Sequence, residues 1–222
     1  MKSFQNVQTL PRAEMGFKTE DILIVYAGRI ALEKNIPFLI ESFAGVAQAL
    51  PNAHLILIGG GVQPYEEEIQ EMVQAQSVAD RIHMTGRLPY DKLPAYLAMC
   101  DIFATASITE VHPLSVIEAM GAGLPVMGIH SVGVGDTVED GVTGFLATRD
   151  IAAFTAKLTR LCLDAELRKQ MSHSALEASS AYAIERTTKI MLSHYERLVR
   201  DSKPRKSSLR TRLRGVVERF LS

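Results

Sequence analysis

The amino-acid sequence predicts an α/β domain built on a doubly wound parallel sheet, and three observations support this prediction. Short apolar runs, each ending at glycine or a small polar residue, are typical of strands that are buried on both faces. Helical patterns separate these runs, and such alternation of strand and helix favours a parallel sheet. The 222 residues, 47% hydrophobic and 22% charged, suit one globular domain with a sizeable core and short extensions.

The elements follow one another in a regular order. Apolar runs predict five strands, at 22–28, 53–59, 81–86, 101–107 and 124–129. Helical patterns occupy 37–50, 65–76, 90–100 and the segment that begins at Pro113. Because proline has no backbone N–H and presets a helical φ, we expect Pro113 at the first helical position. A short edge strand is predicted within 141–147, and helices follow from Ile151 to about Arg200, with breaks near Asp164 and Ala183.

The composition argues against several classes of function. A formal net charge of −1 gives no global field that would attract nucleic acid. The two cysteines and six histidines lack metal-ligand spacing, so we expect no metal site, and cysteines without a disulfide framework fit a reducing compartment. No apolar run is long enough to span a bilayer, and the N-terminal residues lack the apolar core of a signal peptide. We therefore expect a cytoplasmic protein.

Glu110 and Glu118 are placed on either side of one predicted helix start. The first-turn N–H groups and the helix dipole favour an anion there, while the two carboxylates can accept hydrogen bonds from hydroxyls. Glutamates in such positions are ordinarily solvated. Glu118, however, lies in the apolar or small-residue stretch VIEAMGAGLPVM, where an unpaired buried charge would be costly. Glu118 therefore needs a cleft or a partner.

Doubly wound sheets bind ligands outside the carboxyl ends of their strands, so the residues that follow the predicted strands are candidates for a site. These are Gly28 and Arg29, Gly59 to Gly61, Gly86 and Arg87, Ser107 to Glu110, and His130 to Asp136. In GRIALEKN (28–35), Arg29 and Lys34 are cations that can converge on a diphosphate leaving group. The three glycines at 59–61 are a weak match to a dinucleotide-binding fingerprint because Pro64 occupies the position of its last glycine.

Several of these segments together resemble a known family. Glu110 and Glu118 form an E-x7-E pair, and with GRIALEKN, LILIGGG, RIHMTGRLP, EAMGAGLPV and VEDGVTGFL they resemble the retaining glycosyltransferases of family 4. The resemblance covers roughly residues 20 to 200 and matches the C-terminal, nucleotide-sugar-binding half of the two-domain GT-B fold. It implies that Arg29 and Lys34 bind the donor diphosphate, Glu118 the ribose hydroxyls and Glu110 the transferred sugar. The rest of the implied donor site comprises Gly28, Gly60, Leu114 and Ser115.

The resemblance also implies how the reaction proceeds. Cationic side chains and helix N–H groups stabilise the leaving group, so the reaction is expected to need neither a metal nor a cofactor. Pro113 departs from the family, which commonly has glycine there, and this leaves the N–H groups of Leu114 and Ser115 as the expected phosphate donors. VGVGD (132–136) replaces the family's Gly-Gly-x-Pro-Glu loop, so that only Gly133 and Asp136 match it.

The sequence thus predicts the donor-binding domain of a retaining glycosyltransferase. We expect it to help transfer a hexose from a nucleoside diphosphate, by resemblance UDP-glucose, to a hydroxyl acceptor, with Glu110, Arg29 and Lys34 as the catalytic residues. Since the acceptor-binding half is not matched, we expect the chain alone to be inactive. Two alternatives stay open: a noncatalytic nucleotide-sugar-binding module that acts with a separate partner chain, and a phosphosugar isomerase or epimerase.

Three regions are predicted along the chain: a linker from a missing N-terminal domain at 1–19, the donor-binding domain at 20–200, and a basic amphipathic tail at 201–222. Seven Lys and Arg residues and one acidic residue, Glu218, lie within 203–222, together with an apolar stripe at helical spacing. Such a segment is typical of a helix on an anionic membrane surface, here the inner face, which makes a membrane lipid a candidate acceptor. A solvated tail, or a helix that docks on the missing domain, is the alternative.

Overall fold

The computed structural model describes residues 4–5 and 7–202, so the tail predicted beyond Ser202 lies outside the described residues. Six parallel strands form one sheet in the order β3-β2-β1-β4-β5-β6. Their bounds are β1 Ile22–Ala27, β2 Ala53–Ile58, β3 Ile82–Gly86, β4 Ile102–Thr105, β5 Val126–Ile129 and β6 Gly144–Ala147. The predicted doubly wound α/β fold is confirmed. The strand order reverses between β1 and β4, and in such sheets this reversal marks the ligand-binding crevice.

Helices lie between the strands and after β6. They are α1 Ile36–Ala49, α2 Tyr65–Gln74, α3 Leu93–Met99, α4 Leu114–Gly121, α5 Val134–Thr137, α6 Ile151–Leu163, α7 Ala165–Ser179 and α8 Ile184–Asp201. The chain divides after Ala183 into two compact units. The first unit contains the sheet and α1 to α7. In the second unit, α8 is an amphipathic helix with Ile184, Met191, Tyr195 and Leu198 at helical spacing.

Two apolar clusters cover the two faces of the sheet. Along β1, Ile24 and Tyr26 belong to the first cluster and Leu23 and Val25 to the second, as the alternation of a strand requires. The β1 residues are buried on both faces, which explains why their sequence reads as a continuous apolar run. The first cluster includes residues of α1 and α6, and the second includes residues of α3 and α4.

The predicted element ends need two corrections. Pro113 is not the first helical position, because its ψ of 76° is not helical and α4 begins at Leu114. The helix predicted from Tyr90 begins as a 3-10 turn at Tyr90–Lys92, and its α-helical part starts at Leu93. The breaks near Asp164 and Ala183 are confirmed, since the Asp164 side chain caps α7 and a further 3-10 turn separates α7 from α8.

The described part of the segment predicted as a linker packs on the first unit. Phe4 and Phe17 are buried in the second cluster. The Arg12 guanidinium donates to the Asp101 carboxylate at 2.9 Å and to the Met99 carbonyl at 2.8 Å. These contacts attach the segment to the amino end of β4.

A histidine pair lies near the amino ends of β2 and β3. His54 Nδ1 and His83 Nε2 are 3.1 Å apart, and the ring of Phe17 meets both imidazoles edge-on. Burial lowers the pKa of both histidines, and for His83 the neighbouring His54 lowers it further. Asp21 and Asp80 oppose this shift at His54, while Arg81 and Lys18 reinforce it. The fold therefore favours the neutral pair.

This pair makes stability dependent on pH. Both pKa values are lower in the folded protein than in the unfolded chain, where a histidine has a pKa of about 6.5. Around and below that pH, the unfolded chain therefore binds more protons than the folded protein. Stability falls as the pH drops through this range. We expect the free energy of unfolding in urea to decrease from pH 7.5 to 5.5, and His83→Gln to reduce this decrease. The exposed His173→Gln serves as the control and should keep the wild-type dependence. Equal pH dependence in wild type and His83→Gln would contradict this account.

Candidate functional site

A cavity of about 700 Å³ opens at the carboxyl ends of β1, β2 and β4, beside the start of α4. It lies at the point where the strand order reverses, as expected for a doubly wound sheet. All eight residues predicted for the site line this one cavity: Gly28, Arg29, Lys34, Gly60, Glu110, Leu114, Ser115 and Glu118. The sequence therefore predicted the location of the cavity, while the role of each residue stays a prediction.

The loops after β1 and β2 approach each other closely in this cavity. The Gly28 N–H donates to the Ile58 carbonyl at 2.9 Å, and the Ile30 N–H donates to the Gly60 carbonyl at 3.0 Å. Gly59 has a φ of +137°, and a Cβ there would lie 1.8 Å from the Gly28 carbonyl oxygen. Only glycine permits this approach, so the glycine run shapes the cavity wall.

Tyr26 fixes the loop that carries the two predicted phosphate ligands. Its hydroxyl donates to the Arg29 carbonyl at 2.8 Å, and burial raises the pKa of this phenol, which keeps it a neutral donor. The Arg29 guanidinium itself is 76% exposed and pairs with Glu33 at 2.7 Å. Screening by solvent makes this pair weak, so Arg29 can exchange Glu33 for another anion.

Lys34 pairs with Glu110 across the cavity. Lys34 Nζ donates to Glu110 Oε1 at 2.5 Å, and Ser107 Oγ donates to the same oxygen at 2.8 Å. The side chains of the pair are only about 15% exposed, so their attraction is poorly screened. Glu110 Oε2 receives no hydrogen bond from any described residue and remains available as an acceptor. Arg29 and Lys34 thus line the same cavity, and each is paired with a carboxylate of the chain.

The start of α4 differs from the predicted anion site. The Leu114 N–H donates to the His112 carbonyl at 2.9 Å, so the expectation that it is open to a phosphate is wrong for this structure. The cause is the non-helical ψ of Pro113, which turns the backbone back on itself before the helix begins. Leu114 and Ser115 still line the cavity, and Ser115 is left as the predicted donor at this helix end.

Glu118 lies on the first turns of α4 and meets an aromatic partner. The Tyr90 hydroxyl donates to Glu118 Oε1 at 2.5 Å. Burial raises the pKa of Glu118 above its ordinary value, and the hydrogen bond from Tyr90 opposes that rise. The same bond raises the pKa of Tyr90 to about 12. The sequence predicted that Glu118, in its apolar surroundings, needs a cleft or a partner. The Tyr90 hydroxyl is that partner.

Three polar side chains that line the cavity were not among the candidates from the sequence: Tyr26, Tyr90 and Thr105. Tyr26 and Thr105 lie within buried strands, where only their polar ends distinguish them from core residues. Arg87 was noted as following a strand, and its guanidinium donates to the Gly61 carbonyl at 3.2 Å. The only signal for Tyr90 was an aromatic residue in a polar turn. The cavity also contains His112, whose ring contacts Tyr182 at 6.0 Å between centroids.

The segment after β5 supports Glu110 from behind. The Glu110 N–H donates to the Val132 carbonyl at 3.1 Å, and Asp136 accepts the Gly133 N–H at 3.0 Å. Gly133 has a φ of +83°, and a Cβ there would lie 2.3 Å from the Glu110 carbonyl oxygen. The two residues predicted to match the family loop, Gly133 and Asp136, thus hold the backbone against which Glu110 packs.

Within residues 4–5 and 7–202, no three His, Cys, Asp or Glu side chains are grouped so that they could hold a metal ion. A reaction without metal remains a prediction. No helix in the same part of the chain is long and apolar enough to cross a membrane.

The family model for glycosyl transferases group 1 matches residues 7–178. The chain belongs to this family. The match includes the whole of the cavity and all eight residues predicted for the site.

One relative is the alpha-monoglucosyldiacylglycerol synthase of Acholeplasma laidlawii, which is 26% identical over 181 residues. The alignment covers 82% of this chain and 44% of that enzyme. The chain likewise spans less than half the length of other curated relatives that it matches.

Solved structures show the same fold. Anabaena Alr3699/HepE in complex with UDP and glucose has a TM-score of 0.74 at 23% identity, covering 83% of this chain and 50% of that one. The C-terminal domain of a glycosyl transferase group 1 family protein from Francisella tularensis has a TM-score of 0.72 at 20% identity. That comparison covers 82% of this chain and 98% of the Francisella domain. The fold is therefore that of the C-terminal Rossmann-like domain of a GT-B glycosyltransferase.

Alanine substitutions at two glycines distinguish the cost of backbone strain from the cost of a steric clash. Gly133 and Gly141 have φ values of +83° and +84°, but a Cβ on Gly141 would have no atom within 4 Å. Alanine should cost about 1–3 kcal/mol at either position because of the positive φ. At Gly133 it should cost about 1–3 kcal/mol more, because the methyl group collides with Glu110. Urea unfolding of both variants tests this, and equal losses would show that the Glu110 contact is not tight.

Proposed function

We propose that this chain is the donor-binding domain of a retaining glycosyltransferase of family 4, which transfers a hexose from UDP-glucose to a hydroxyl acceptor. The observation that carries the proposal is the single cavity that combines Lys34 with two carboxylates, Glu110 and Glu118, at the reversal point of the sheet. Family membership favours an enzyme over a noncatalytic binding module or a phosphosugar isomerase.

In this proposal, the leaving diphosphate is stabilised by charge. Arg29 and Lys34 exchange their carboxylate partners for the diphosphate, and the Ser115 N–H at the start of α4 adds the positive end of the helix dipole. The bond between the anomeric carbon and the diphosphate oxygen breaks with both electrons passing to the diphosphate. Departure of the nucleotide precedes or accompanies attack by the acceptor hydroxyl on the same face, and the hydroxyl proton passes to an oxygen of the departing diphosphate. No metal is required, because cations of the chain offset the developing negative charge.

The two carboxylates have separate tasks in the proposed complex. Glu118 accepts hydrogen bonds from the ribose hydroxyls, and Glu110 accepts them from hydroxyls of the hexose. When Lys34 moves to the diphosphate, Glu110 Oε1 loses a charged donor, and a sugar hydroxyl restores a hydrogen bond to it. At Glu110, donor binding thus exchanges the ion pair with Lys34 for two contacts with the ligand, one made by Lys34 and one by Glu110.

Support for the donor and for a partner domain comes from the neighbours. The Anabaena protein of the same fold was solved with UDP and glucose, which supports UDP-glucose as the donor. Because the curated relatives are more than twice as long as the matched region, we propose that an acceptor-binding domain completes the site. On this basis the 222-residue chain alone transfers no sugar.

We further propose a membrane lipid as the acceptor, reached from the cytoplasmic face. The Acholeplasma relative is named for a glucosylated diacylglycerol. The seven cationic residues of 203–222 give this chain a means of attraction to anionic lipids, worth about 1 kcal/mol for each cation near the surface.

The carboxylate roles can be separated by calorimetry with UDP and UDP-glucose. Glu118→Gln should weaken binding of both ligands by about 1.5–3 kcal/mol, since both carry the ribose. Glu110→Gln should weaken only UDP-glucose, because UDP has no hexose. The exposed Glu177→Gln on α7 is the matched control and should bind both ligands as the wild type does. Equal effects of Glu110→Gln and Glu118→Gln on UDP would contradict the assigned roles.

The membrane proposal is tested by flotation with liposomes that contain anionic phospholipid. The intact chain should float with the liposomes, and a chain that ends at Ser202 should not. Added salt should release the intact chain, because screening shortens the reach of surface charges. If both chains float equally, or if neither floats, residues 203–222 are not the membrane anchor.

A further inference from the structure

Among the residues that the structure describes, Tyr90 is the one whose side chain hydrogen-bonds the Glu118 carboxylate. Neither the E-x7-E pair nor the other family segments include it. It begins the 3-10 turn Tyr90–Lys92, which follows β3, and it lines the cavity. Although 65% of the residue is exposed, its hydroxyl donates to Glu118 Oε1 at 2.5 Å. An exposed tyrosine would ordinarily give its hydroxyl to water, so this bond calls for an explanation.

The bond determines which carboxylate oxygen a ligand can use. A carboxylate accepts hydrogen bonds on both oxygens, and a glutamate side chain can otherwise rotate about its terminal torsion. With Oε1 held by Tyr90, Oε2 is the oxygen that receives no hydrogen bond from the described residues. A hydroxyl of the ligand therefore meets an acceptor that is already oriented, and less rotational freedom is lost on binding.

The ring of Tyr90 is itself held in place. Phe4 is only 3% exposed, and its ring meets that of Tyr90 edge-on, at 6.0 Å between centroids and 70° between planes. This is the usual geometry of a favourable aromatic pair. Phe4 belongs to the N-terminal segment, so a buried residue far away in sequence keeps the phenol within reach of Glu118.

We propose that Tyr90 is a positioning residue of the donor site, which holds Glu118 Oε1 so that Oε2 accepts a ribose hydroxyl. The inference rests on the proposed function, because it takes Glu118 as the ribose ligand. Burial raises the pKa of Glu118, and the charge-assisted bond from Tyr90 counters that rise. Tyr90 therefore also extends the pH range over which Glu118 is an ionised acceptor.

The test is the affinity for UDP of Tyr90→Phe, which keeps the ring and its contact with Phe4. Loss of one hydrogen bond should weaken UDP binding about threefold to tenfold at pH 7.5. The loss should grow as the pH falls to 5.5, because Glu118 becomes protonated at a higher pH in the variant. A purely structural role would lower affinity equally at both pH values. Tyr96→Phe, on α3 and outside the cavity, is the control and should leave the affinity unchanged at both pH values.

Two further measurements distinguish a wrong positioning role of Tyr90 from a wrong ribose assignment of Glu118. UDP that lacks both ribose hydroxyls should bind wild type and Tyr90→Phe equally, and Tyr90→Phe should add no loss in a Glu118→Gln background. If Glu118→Gln weakens UDP binding but Tyr90→Phe does not, or tightens it, the positioning role is wrong and the proposed function stands. If Glu118→Gln leaves UDP binding unchanged, the ribose assignment of Glu118 fails, and with it this inference.

Discussion

The largely buried ion pair between Lys34 and Glu110, with side chains about 15% exposed, joins loops that follow different strands, and the geometry of the site depends on it. Lys34 lies in the loop after β1, and Glu110 lies in the loop after β4. The same loops are joined by the Ile108 N–H, which donates to the Glu33 carbonyl at 3.0 Å. A buried pair gains little net stability, because desolvation of two charges offsets their attraction. Its effect is to fix where the loops meet, which is the crevice between β1 and β4.

The carboxylates of Glu110 and Glu118 are oriented in the same way. Each has one oxygen bound by donors of the chain: Lys34 and Ser107 at Glu110, and Tyr90 at Glu118. Each leaves the other oxygen without a donor among the described residues. Hydrogen bonds to one oxygen keep the carboxylate oriented and limit the free-energy cost of its burial. The other oxygen can still accept a hydrogen bond from a hydroxyl of the ligand. The two differ in their partners, since only Glu110 is paired with a cation that an anionic ligand can attract away.

Much of the fold and the location of the site could be predicted from the sequence, because both depend on short-range patterns. Apolar runs that end at glycine indicated the strands, and the rule that ligands lie at strand ends brought Gly28, Arg29 and Glu110 to one place. Contacts set by tertiary structure could not be predicted in this way. The pairing of Lys34 with Glu110 and of Tyr90 with Glu118 joins residues 76 and 28 positions apart. The turn at Pro113, which occupies the Leu114 N–H, depends on one backbone torsion that proline leaves open.

The most direct measurement is a crystal structure of the 222-residue chain with UDP-glucose. The account predicts the nucleotide in the cavity of about 700 Å³, with the ribose on Glu118, the hexose on Glu110 and the diphosphate beside Arg29 and a Lys34 that has left Glu110. It would be contradicted by a nucleotide bound elsewhere, for example in the cavity of about 530 Å³ beside His130 and Arg149. An intact Lys34–Glu110 pair with the diphosphate out of reach of Lys34 would contradict it equally.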